Sequence, residues 1–399
     1  MFFLGRLLIL LIRFDAYLFM FISPGHISPG FLEEFGSALE HLRTVFGAPT
    51  GQPIILSGSG TLGWEVIAAN LLESKDGSSD ADVLVVNTGY FSDSWKDCFE
   101  CFGLRVTQVK ADKIGATVPT EAVVSALKAN PSVRLVALTQ VDTSTAVLND
   151  IAALSKAIKS VNPDILVAVD GVCSVGGEAF EQDAWGVDAA MTCSQKALGC
   201  PPGLSVMVFS DAAIKIVESR KSRIPIYYGN LRNWLPIMRA YEQRKPSYFA
   251  TPNVNLIRAL NVSLKQLVGQ GMKERVARHA RVSTAFKAAV RALGLGEVPT
   301  SPEHSAHTLS AVLFPTGDGV DTSKLLPTMV AHGVVAAGGL HKDIKATYFR
   351  VGHMGESVMN LERGDVERVV VAIEAGLKAS GYQFTDGAGV KAFQEAMKQ

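Results

Sequence analysis

The sequence of 399 residues predicts an α/β fold, with a mostly parallel sheet flanked by helices in a large domain and a smaller C-terminal α+β domain. Short apolar runs alternate with helix-length segments from about residue 50, which is typical of strands joined by crossover helices. Several of these runs are continuously apolar, as in strands buried on both faces. The 36 glycines suit many tight strand-to-helix turns. We predict an apolar N-terminal arm at 1–30, a large domain at 31–255 and a small domain at 256–399.

The elements of the large domain follow one another in alternation. Strand candidates are Asp82–Val86, Val133–Thr139, Ile165–Asp170, Ala189–Thr192 and Leu204–Phe209. Helical stretches lie between them at Leu62–Leu72, Asp93–Phe102, Thr120–Ala129 and Asn149–Ser160. Beyond them we expect a long helix from about Asn255 to Leu295, then strands at His307–Phe314 and Thr347–Val351 and helices at Leu325–His332 and Arg363–Ser380.

Composition excludes global disorder and gives no sign of nucleic-acid binding. Hydrophobic residues make up 48% of the chain, enough for a large core. Lys and Arg number 38, as do Asp and Glu, so no basic surface is indicated. The five cysteines form no even framework, which favours a reducing compartment over a disulfide scaffold. We expect no metal site, because the C-x-x-C of Cys98 and Cys101 has no second pair.

The segment Met1–Ile22 is almost wholly apolar, but Arg6, Arg13 and Asp15 interrupt it. A transmembrane helix would hold these charges near the middle of the bilayer, which is costly, and the uninterrupted run Leu7–Ile12 is short even for a signal peptide. We interpret the segment as a buried or docked arm. A membrane or targeting segment is the alternative.

The stretch Ser57–Thr61 (SGSGT) opens a predicted helix at a strand end, where the ligands of such sheets bind. Glycines let the backbone approach an anion closely, and a helix N-terminus offers free N–H groups. A phosphate would bind well there. The spacing matches neither a P-loop nor a full dinucleotide fingerprint, so a helix capped after a glycine turn is the alternative.

Two ionisable residues lie at the ends of later strands. Asp170 closes the apolar run ILVAVD, and a buried acid needs a partner such as a protonated pyridine nitrogen. A cap on the following turn is the alternative. Lys196 lies in the Gly- and Pro-rich stretch MTCSQKALGCPPG, with no charged neighbours. In a partly desolvated pocket such a lysine could form an imine.

A phosphate site, a buried acid and a pocket lysine on one sheet are what pyridoxal 5′-phosphate requires. The phosphate anchors the cofactor, the acid keeps the ring nitrogen protonated, and the lysine binds the cofactor covalently. We therefore predict pyridoxal 5′-phosphate as the cofactor, with Lys196 and Asp170 as the catalytic residues.

Three segments, SGSGT (57–61), VDGVCSVGG (169–177) and CSQKALGCPPG (193–203), resemble the alanine–glyoxylate / serine–pyruvate aminotransferases. These are class V enzymes with the pyridoxal-phosphate-dependent transferase fold of type I. The resemblance runs from about His26 to the C-terminus. It implies a homodimer with shared active sites that acts on amino acids and 2-oxo acids.

The resemblance also implies a role for each matching residue. The implied cofactor-binding set comprises a phosphate turn, a stacking aromatic, a hydroxyl near the ring oxygen, the ring-nitrogen partner, a phosphate contact beside the lysine, the lysine itself and two residues from the second subunit: Ser59, Gly60 and Thr61; Phe91; Thr143; Asp170; Gln195; Lys196; and Tyr248 and Thr251. Arg350 matches the guanidinium that holds the substrate carboxylate, to which a bidentate fork is well suited.

These residues have structural alternatives, and the chain departs from the family pattern twice. Phe91 and Tyr248 could be packing residues, and Arg350 could pair with an acid such as Asp343 or Glu356. Ala146 stands where relatives usually carry glycine. The family's Pro-Gly-Pro-type segment, whose backbone lines the substrate pocket, is replaced by Met1–Ile22, and Pro24-Gly25 is not an obvious substitute.

The predicted reaction is transamination of alanine with glyoxylate in two half-reactions, giving pyruvate and glycine, with Lys196 as the general base and acid. Serine–pyruvate or serine–glyoxylate transamination is an alternative. A cysteine desulfurase or another lyase of this fold is a weaker one, because all five cysteines lie at or before Cys200. A non-catalytic, membrane-associated homologue is supported only by the apolar N-terminus.

We expect a cytoplasmic, peroxisomal or mitochondrial location. The chain ends Met397-Lys398-Gln399, which is not a peroxisomal tripeptide.

Overall fold

The computed structural model describes residues 24–73 and 82–398. The predicted membrane, targeting or docked segment Met1–Ile22 lies outside the described residues. Within the described ranges, no helix combines the length and the apolar character needed to cross a membrane.

Twelve strands are present in the described part of the chain: β1 Gln52–Ser57, β2 Val83–Asn87, β3 Val106–Lys110, β4 Leu135–Thr139, β5 Val141–Asp142, β6 Val147–Leu148, β7 Leu166–Asp170, β8 Ala189–Cys193, β9 Leu204–Phe209, β10 Leu309–Leu313, β11 Ala337–Gly338 and β12 Tyr348–Gly352.

The α-helices of the same ranges are α1 Pro29–Phe46, α2 Gly60–Leu71, α3 Tyr90–Cys101, α4 Thr120–Ala129, α5 Ile151–Val161, α6 Gln182–Trp185, α7 Asp211–Ser219, α8 Leu231–Glu242, α9 Val254–Gln270, α10 Met272–Ala292, α11 Leu325–Ala331, α12 Glu356–Met359, α13 Asp365–Ala379 and α14 Ala388–Met397. Short 3-10 turns lie at Pro302–His304, Thr322–Lys324 and Leu361–Arg363.

The main sheet has seven strands in the order β1-β9-β8-β7-β4-β2-β3. All neighbouring pairs are parallel except the two that β9 makes, because β9 runs antiparallel to both β1 and β8. Strands β2, β4, β7, β8 and β9 are buried along their whole length, as their continuous apolar sequences require. The prediction of a mostly parallel sheet flanked by helices is confirmed.

The C-terminal part forms a second layer around the three-stranded sheet β10-β12-β11. Its largest hydrophobic cluster begins at Val282 in α10 and extends to Phe393 in α14. The hydrophobic cluster of the large sheet includes Leu260 and Leu264 of α9. The residue at which one domain ends and the next begins, set at 255 from the sequence, stays a prediction.

Two strands of the main sheet were not expected from the sequence, and both lie at its edges. The two-residue strands β5, β6 and β11, outside the main sheet, were not expected either. In β1, Pro53 lacks a backbone N–H, which an edge strand tolerates. In β3 (VTQVK) four of the five residues are half-buried and one is exposed, so the strand lacks the continuous apolar signal of the central ones. The predicted long helix is two helices, α9 and α10, because Gly271 lies between them with φ of +80°.

Candidate active site

The direction of the strands in the main sheet decides which chain segments meet at the site. Strands β2, β4, β7 and β8 run parallel to one another, and β1 shares their direction because two antiparallel pairings separate it from β8. Five chain segments therefore leave the sheet at the same edge: 58–61, 88–91, 140–143, 171–173 and 194–196. The sheet brings together residues far apart in sequence at the place where ligands of such sheets bind.

A cavity of about 240 Å³ opens at this edge. Its lining contains eight residues predicted from the sequence to bind the cofactor: Ser59, Gly60, Thr61, Phe91, Thr143, Asp170, Gln195 and Lys196. The structure thus places them around one space; their individual roles remain predictions. We refer to this space as the cofactor cavity.

The N-terminus of α2 forms one wall of the cofactor cavity. Ser59 is the N-cap residue, yet its side chain caps no backbone N–H of the helix. A Cβ on Gly60 would lie only 3.0 Å from Val172 Cγ2, so a larger residue would crowd the wall. A helix start with its cap hydroxyl uncommitted is suited to binding a phosphate group.

Asp170 lies at the end of β7 with its carboxylate buried. Its Oδ1 accepts from the Val172 N–H, and its Oδ2 accepts from the Trp64 Nε1–H, each at 2.9 Å. Burial raises the pKa of Asp170 to about 6, although the two hydrogen bonds oppose that shift. Among the described residues no cation lies within ion-pair distance of this carboxylate. A protonated ring nitrogen fits such a site.

Lys196 lies on the turn after β8 and is half-buried. Within the described part of the chain, its Nζ has no hydrogen-bond or ion-pair partner. The neighbouring Gln195 has a buried Oε1 that also lacks a hydrogen-bond partner there. A buried polar atom without a partner is unusual in a folded protein, and it is consistent with a group that binds in the cavity.

A second cavity, of about 220 Å³, adjoins the first. Thr143, Gln195 and Lys196 line both, so Lys196 lies where the two cavities meet. The far side of the second cavity comes from the C-terminal part of the chain: Leu309, Val334, Val335, Ala336, Ala337, Arg350, Val351, Gly352, Met354, Ser357 and Val369. We refer to this space as the substrate cavity.

Arg350, on β12, is half-buried in the substrate cavity. Its Nε donates to the Gly338 carbonyl at 2.9 Å, and its Nη1 lies 3.5 Å from the Thr143 carbonyl. Neither Asp343 nor Glu356 pairs with it, and no described carboxylate lies within ion-pair distance. Burial lowers the pKa of the guanidinium. An anionic ligand would supply the opposite charge that this guanidinium lacks among the described residues.

Two predicted residues do not reach either cavity in this chain. Tyr248 is 64% exposed and packs against the His26 ring, and Thr251 is also exposed. Pro24 and Gly25, which precede α1, line neither cavity. The predicted action of Tyr248 and Thr251 on a second subunit stays a prediction.

Two buried residues that shape the site were missed from the sequence. Trp64 in α2 lines the cofactor cavity and binds Asp170. Asp142 in β5 accepts from the backbone N–H groups of Phe91 and Ser92, and so caps α3 from another part of the chain. Burial raises the pKa of Asp142. Neither residue has a local motif; a tryptophan one turn into the helix after SGSGT was the available signal.

Two buried cysteines line the cavities, and their surroundings bear on the lyase alternative. Cys173 lines the substrate cavity and Cys193 the cofactor cavity. Burial raises the pKa of the Cys193 thiol to about 12, so this group stays protonated near neutral pH. Cys173 is buried and its carbonyl accepts from Thr308 Oγ1 at 2.6 Å. Neither lies on an exposed loop, as a mobile sulfur-transfer nucleophile requires.

Ala146, the departure from glycine, lies in the turn between β5 and β6. Its φ is +57°, in the left-handed region that glycine adopts without cost. The substitution noted in the sequence therefore falls at a position where the backbone favours glycine.

Comparison with known proteins agrees with this geometry. Residues 25–352 match the aminotransferase class-V family model. The chain is 44% identical to alanine–glyoxylate aminotransferase 1 of Saccharomyces cerevisiae over 347 residues, which are 85% of this chain and 88% of that protein. It is 32% identical over 376 residues to an L-aspartate–glyoxylate aminotransferase of Paracoccus denitrificans, covering 94% and 90% of the two chains.

Among solved structures, an alanine–glyoxylate aminotransferase from Nostoc is similar with a TM-score of 0.81 and 27% identity, over 92% of each chain. The lysine, the buried acid and the helix N-terminus around one cavity are the set that pyridoxal 5′-phosphate needs. The chain belongs to the class V aminotransferase family and is an aminotransferase that uses pyridoxal 5′-phosphate.

Proposed function

We propose that this enzyme transfers the amino group of alanine to glyoxylate, giving pyruvate and glycine. The supporting observation is that Lys196 lies where the cofactor and substrate cavities meet, with Arg350 across the substrate cavity. The 44% identity to the yeast alanine–glyoxylate enzyme supports the same pair of substrates.

The proposed roles follow from the surroundings of each side chain. When bound, pyridoxal 5′-phosphate supplies an electron-withdrawing ring that acidifies the α-hydrogen of an amino acid. The start of α2, with Ser59 and Thr61, binds its phosphate. Asp170 holds a negative charge beside the ring nitrogen. Lys196 Nζ, which has no partner among the described residues, takes and returns the proton at the substrate α-carbon.

The substrate cavity favours a small, uncharged side chain. Arg350 and Lys196 are the charged residues among its described lining, and the rest is mainly aliphatic. Arg350 binds the α-carboxylate, so a second carboxylate, as in aspartate, meets no further described cation. Alanine fits this lining. Serine is the alternative donor, because Thr143 and Ser357 place hydroxyl groups in the same lining.

The proposal extends to assembly and place in the cell. A homodimer would let Tyr248 and Thr251, both exposed on one chain, reach the phosphate site of the other. The reaction consumes glyoxylate and forms glycine, so it would serve glyoxylate removal and glycine synthesis in the cytoplasm, a peroxisome or a mitochondrion. Sedimentation of the full chain and the location of a tagged full-length copy test these two points.

A half-reaction tests the proposed function. Cofactor-loaded enzyme is mixed with alanine alone, and one equivalent of pyruvate per subunit should be released while the cofactor absorbance changes to that of the amine form. Glyoxylate added afterwards should restore the first spectrum. Serine and aspartate are compared at equal concentration. A full response to aspartate would contradict the proposed lining, and no response to any amino acid would contradict transamination by this chain.

A further inference from the structure

Trp64 contacts both the cofactor cavity and the buried acid. It lies one turn into α2, is 5% exposed and lines the cofactor cavity. Its indole Nε1–H donates to Asp170 Oδ2 at 2.9 Å. Asp170 lies 106 residues further along the chain, so this hydrogen bond joins the first helix after β1 to the end of β7.

The two donors to Asp170 differ in kind. The Val172 N–H is two residues away and belongs to the same turn, so it moves with Asp170. The indole of Trp64 comes from another element and is the donor that fixes the carboxylate relative to the cavity wall. One donor on each oxygen sets the plane of the carboxylate.

The indole ring itself is held by other aromatic rings. It stacks on Trp95 with ring centroids 6.1 Å apart and planes 18° apart, and Phe91 packs against it edge to face at 6.3 Å. Trp95 has a buried Nε1 with no hydrogen-bond partner in the described part of the chain. The two stacked tryptophans therefore differ in their hydrogen bonding. The indole N–H of Trp64 donates to Asp170, and that of Trp95 has no acceptor among the described residues.

We propose that Trp64 is a positioning residue for Asp170, whose indole N–H holds the carboxylate ionised and oriented toward a cationic ring nitrogen. The inference rests on the proposed role of Asp170. The inference concerns a hydrogen bond between two side chains, Trp64 and Asp170, and neither of them belongs to the phosphate turn at 57–61 or to the segment around Lys196. A phenylalanine at this position would keep a wall of the cavity but would remove the donor.

The charges around Asp170 decide the direction of the effect. Lys196 favours the ionised carboxylate, whereas Asp142 and burial oppose it, and the Cys193 thiol beside it is protonated. The indole N–H favours the ionised form because it donates to a charged oxygen. Losing it raises the pKa of Asp170 above its value of about 6. Without the indole N–H, the Asp170 carboxylate is therefore protonated at a higher pH than in the wild type.

Trp64→Phe and Trp95→Phe form a matched pair for the test. Each removes one indole from the same stack, and only the first removes a hydrogen bond to Asp170. The affinity of the wild-type protein and of each full-length variant for pyridoxal 5′-phosphate is measured from about pH 5 to pH 9, a range that contains the Asp170 pKa of about 6 and a midpoint one unit higher. Ionisations of the cofactor itself are the same for all three proteins, so only differences between midpoints are compared.

We expect the affinity for the cofactor to fall as the pH is lowered through a midpoint. In Trp64→Phe this midpoint should lie about one pH unit above that of the wild type, and in Trp95→Phe it should be unchanged. At pH 5, below both midpoints, Trp64→Phe should bind the cofactor close to tenfold more weakly than Trp95→Phe, whereas near neutral pH the difference should be about twofold. Equal midpoints in the two variants would overturn the inference, because both losses would then be losses of packing.

A measurement on the unsubstituted indole guards against a misfolded variant. Full-length protein labelled with ¹⁵N-tryptophan has four indole N–H groups. One signal should shift as the pH crosses the pKa of Asp170, and the same signal should not titrate in Asp170→Asn. No titrating indole signal would overturn the inference. Full turnover by Asp170→Asn would instead contradict the proposed function of Asp170, so the two failures are distinguishable.

Discussion

The cofactor cavity and the substrate cavity adjoin at Lys196, yet they are built differently. The described lining of the cofactor cavity comes from residues between 59 and 196, which lie at or just after the ends of strands in one sheet or in the first turns of the helices that follow. The substrate cavity takes most of its lining from residues 309–369, in the second layer of the molecule. The first depends on the geometry of one sheet, and the second on how two parts of the chain pack.

Polarity differs in the same way. The cofactor cavity contains hydroxyl groups, an amide, a lysine and a buried carboxylate, and its hydrogen bonds join distant segments. The substrate cavity is aliphatic apart from Arg350 and a few small polar groups. Substitutions in the first should therefore affect the cofactor and the chemical step. Substitutions in the second should affect which amino acid binds, and how tightly.

The largest expected effect is that of Lys196→Ala. Removing the amine at the junction of the cavities should lower turnover by at least about a thousandfold, because no other described amine lines the cofactor cavity. Borohydride reduction followed by peptide mapping should no longer attach the cofactor to residue 196. Lys215→Ala, at an exposed position of α7, is the control. Retained attachment at another lysine would contradict the assignment.

Asp170→Asn should come next, with turnover reduced by about a thousandfold. The amide keeps the shape and an acceptor for the Trp64 N–H, but it carries no charge to stabilise a protonated ring nitrogen. Cofactor binding should weaken less than turnover, because the phosphate turn at Ser59–Thr61 is unchanged. Steady-state kinetics and cofactor titration measure the two effects separately. Near-normal turnover would assign Asp170 to capping the turn at Val172.

Arg350→Lys tests the other cavity. The KM for alanine should rise about ten- to a hundredfold, because an ammonium group cannot reproduce a bidentate grip on a carboxylate. Affinity for the cofactor should stay close to that of the wild type, since Arg350 does not line the cofactor cavity. A loss of cofactor affinity as large as the rise in the KM for alanine would contradict the assignment of Arg350 to substrate binding alone.

The smallest expected effect concerns Ala146, which shares the turn that positions Asp142 and Thr143. Ala146→Gly relieves a left-handed backbone but loses a buried methyl group worth about 0.8 kcal/mol. The two effects should cancel to within about 1 kcal/mol. Ala137→Gly, equally buried in β4, has no such relief and should destabilise the protein by about 1.5 kcal/mol or more. Urea unfolding of both variants measures the difference, and equal losses would contradict it.

The sequence predicted the central strands and the residues that follow them. Buried parallel strands have continuous apolar sequences, so Asp170 and Lys196 stand out as ionisable residues at their ends. A glycine turn before a helix is also a local signal, and SGSGT could be read as a phosphate turn. The edge strand β3 was missed because its half-exposed sequence lacks that apolar continuity. The edge strand β1 has a short buried apolar run, but this run contains Pro53, and proline is uncommon within a strand.

What the sequence determined by itself is the set of segments that reach the carboxyl edge of one sheet, because strand burial and turn chemistry are local properties. Only the tertiary structure decided what meets across space: Trp64 with Asp170, Asp142 with the start of α3, and Arg350 with the turn that holds Thr143. These pairs are 106, 51 and 207 residues apart. At such separations hydrogen bonds form only after the sheet and its second layer have packed, so no local pattern in the sequence specifies them.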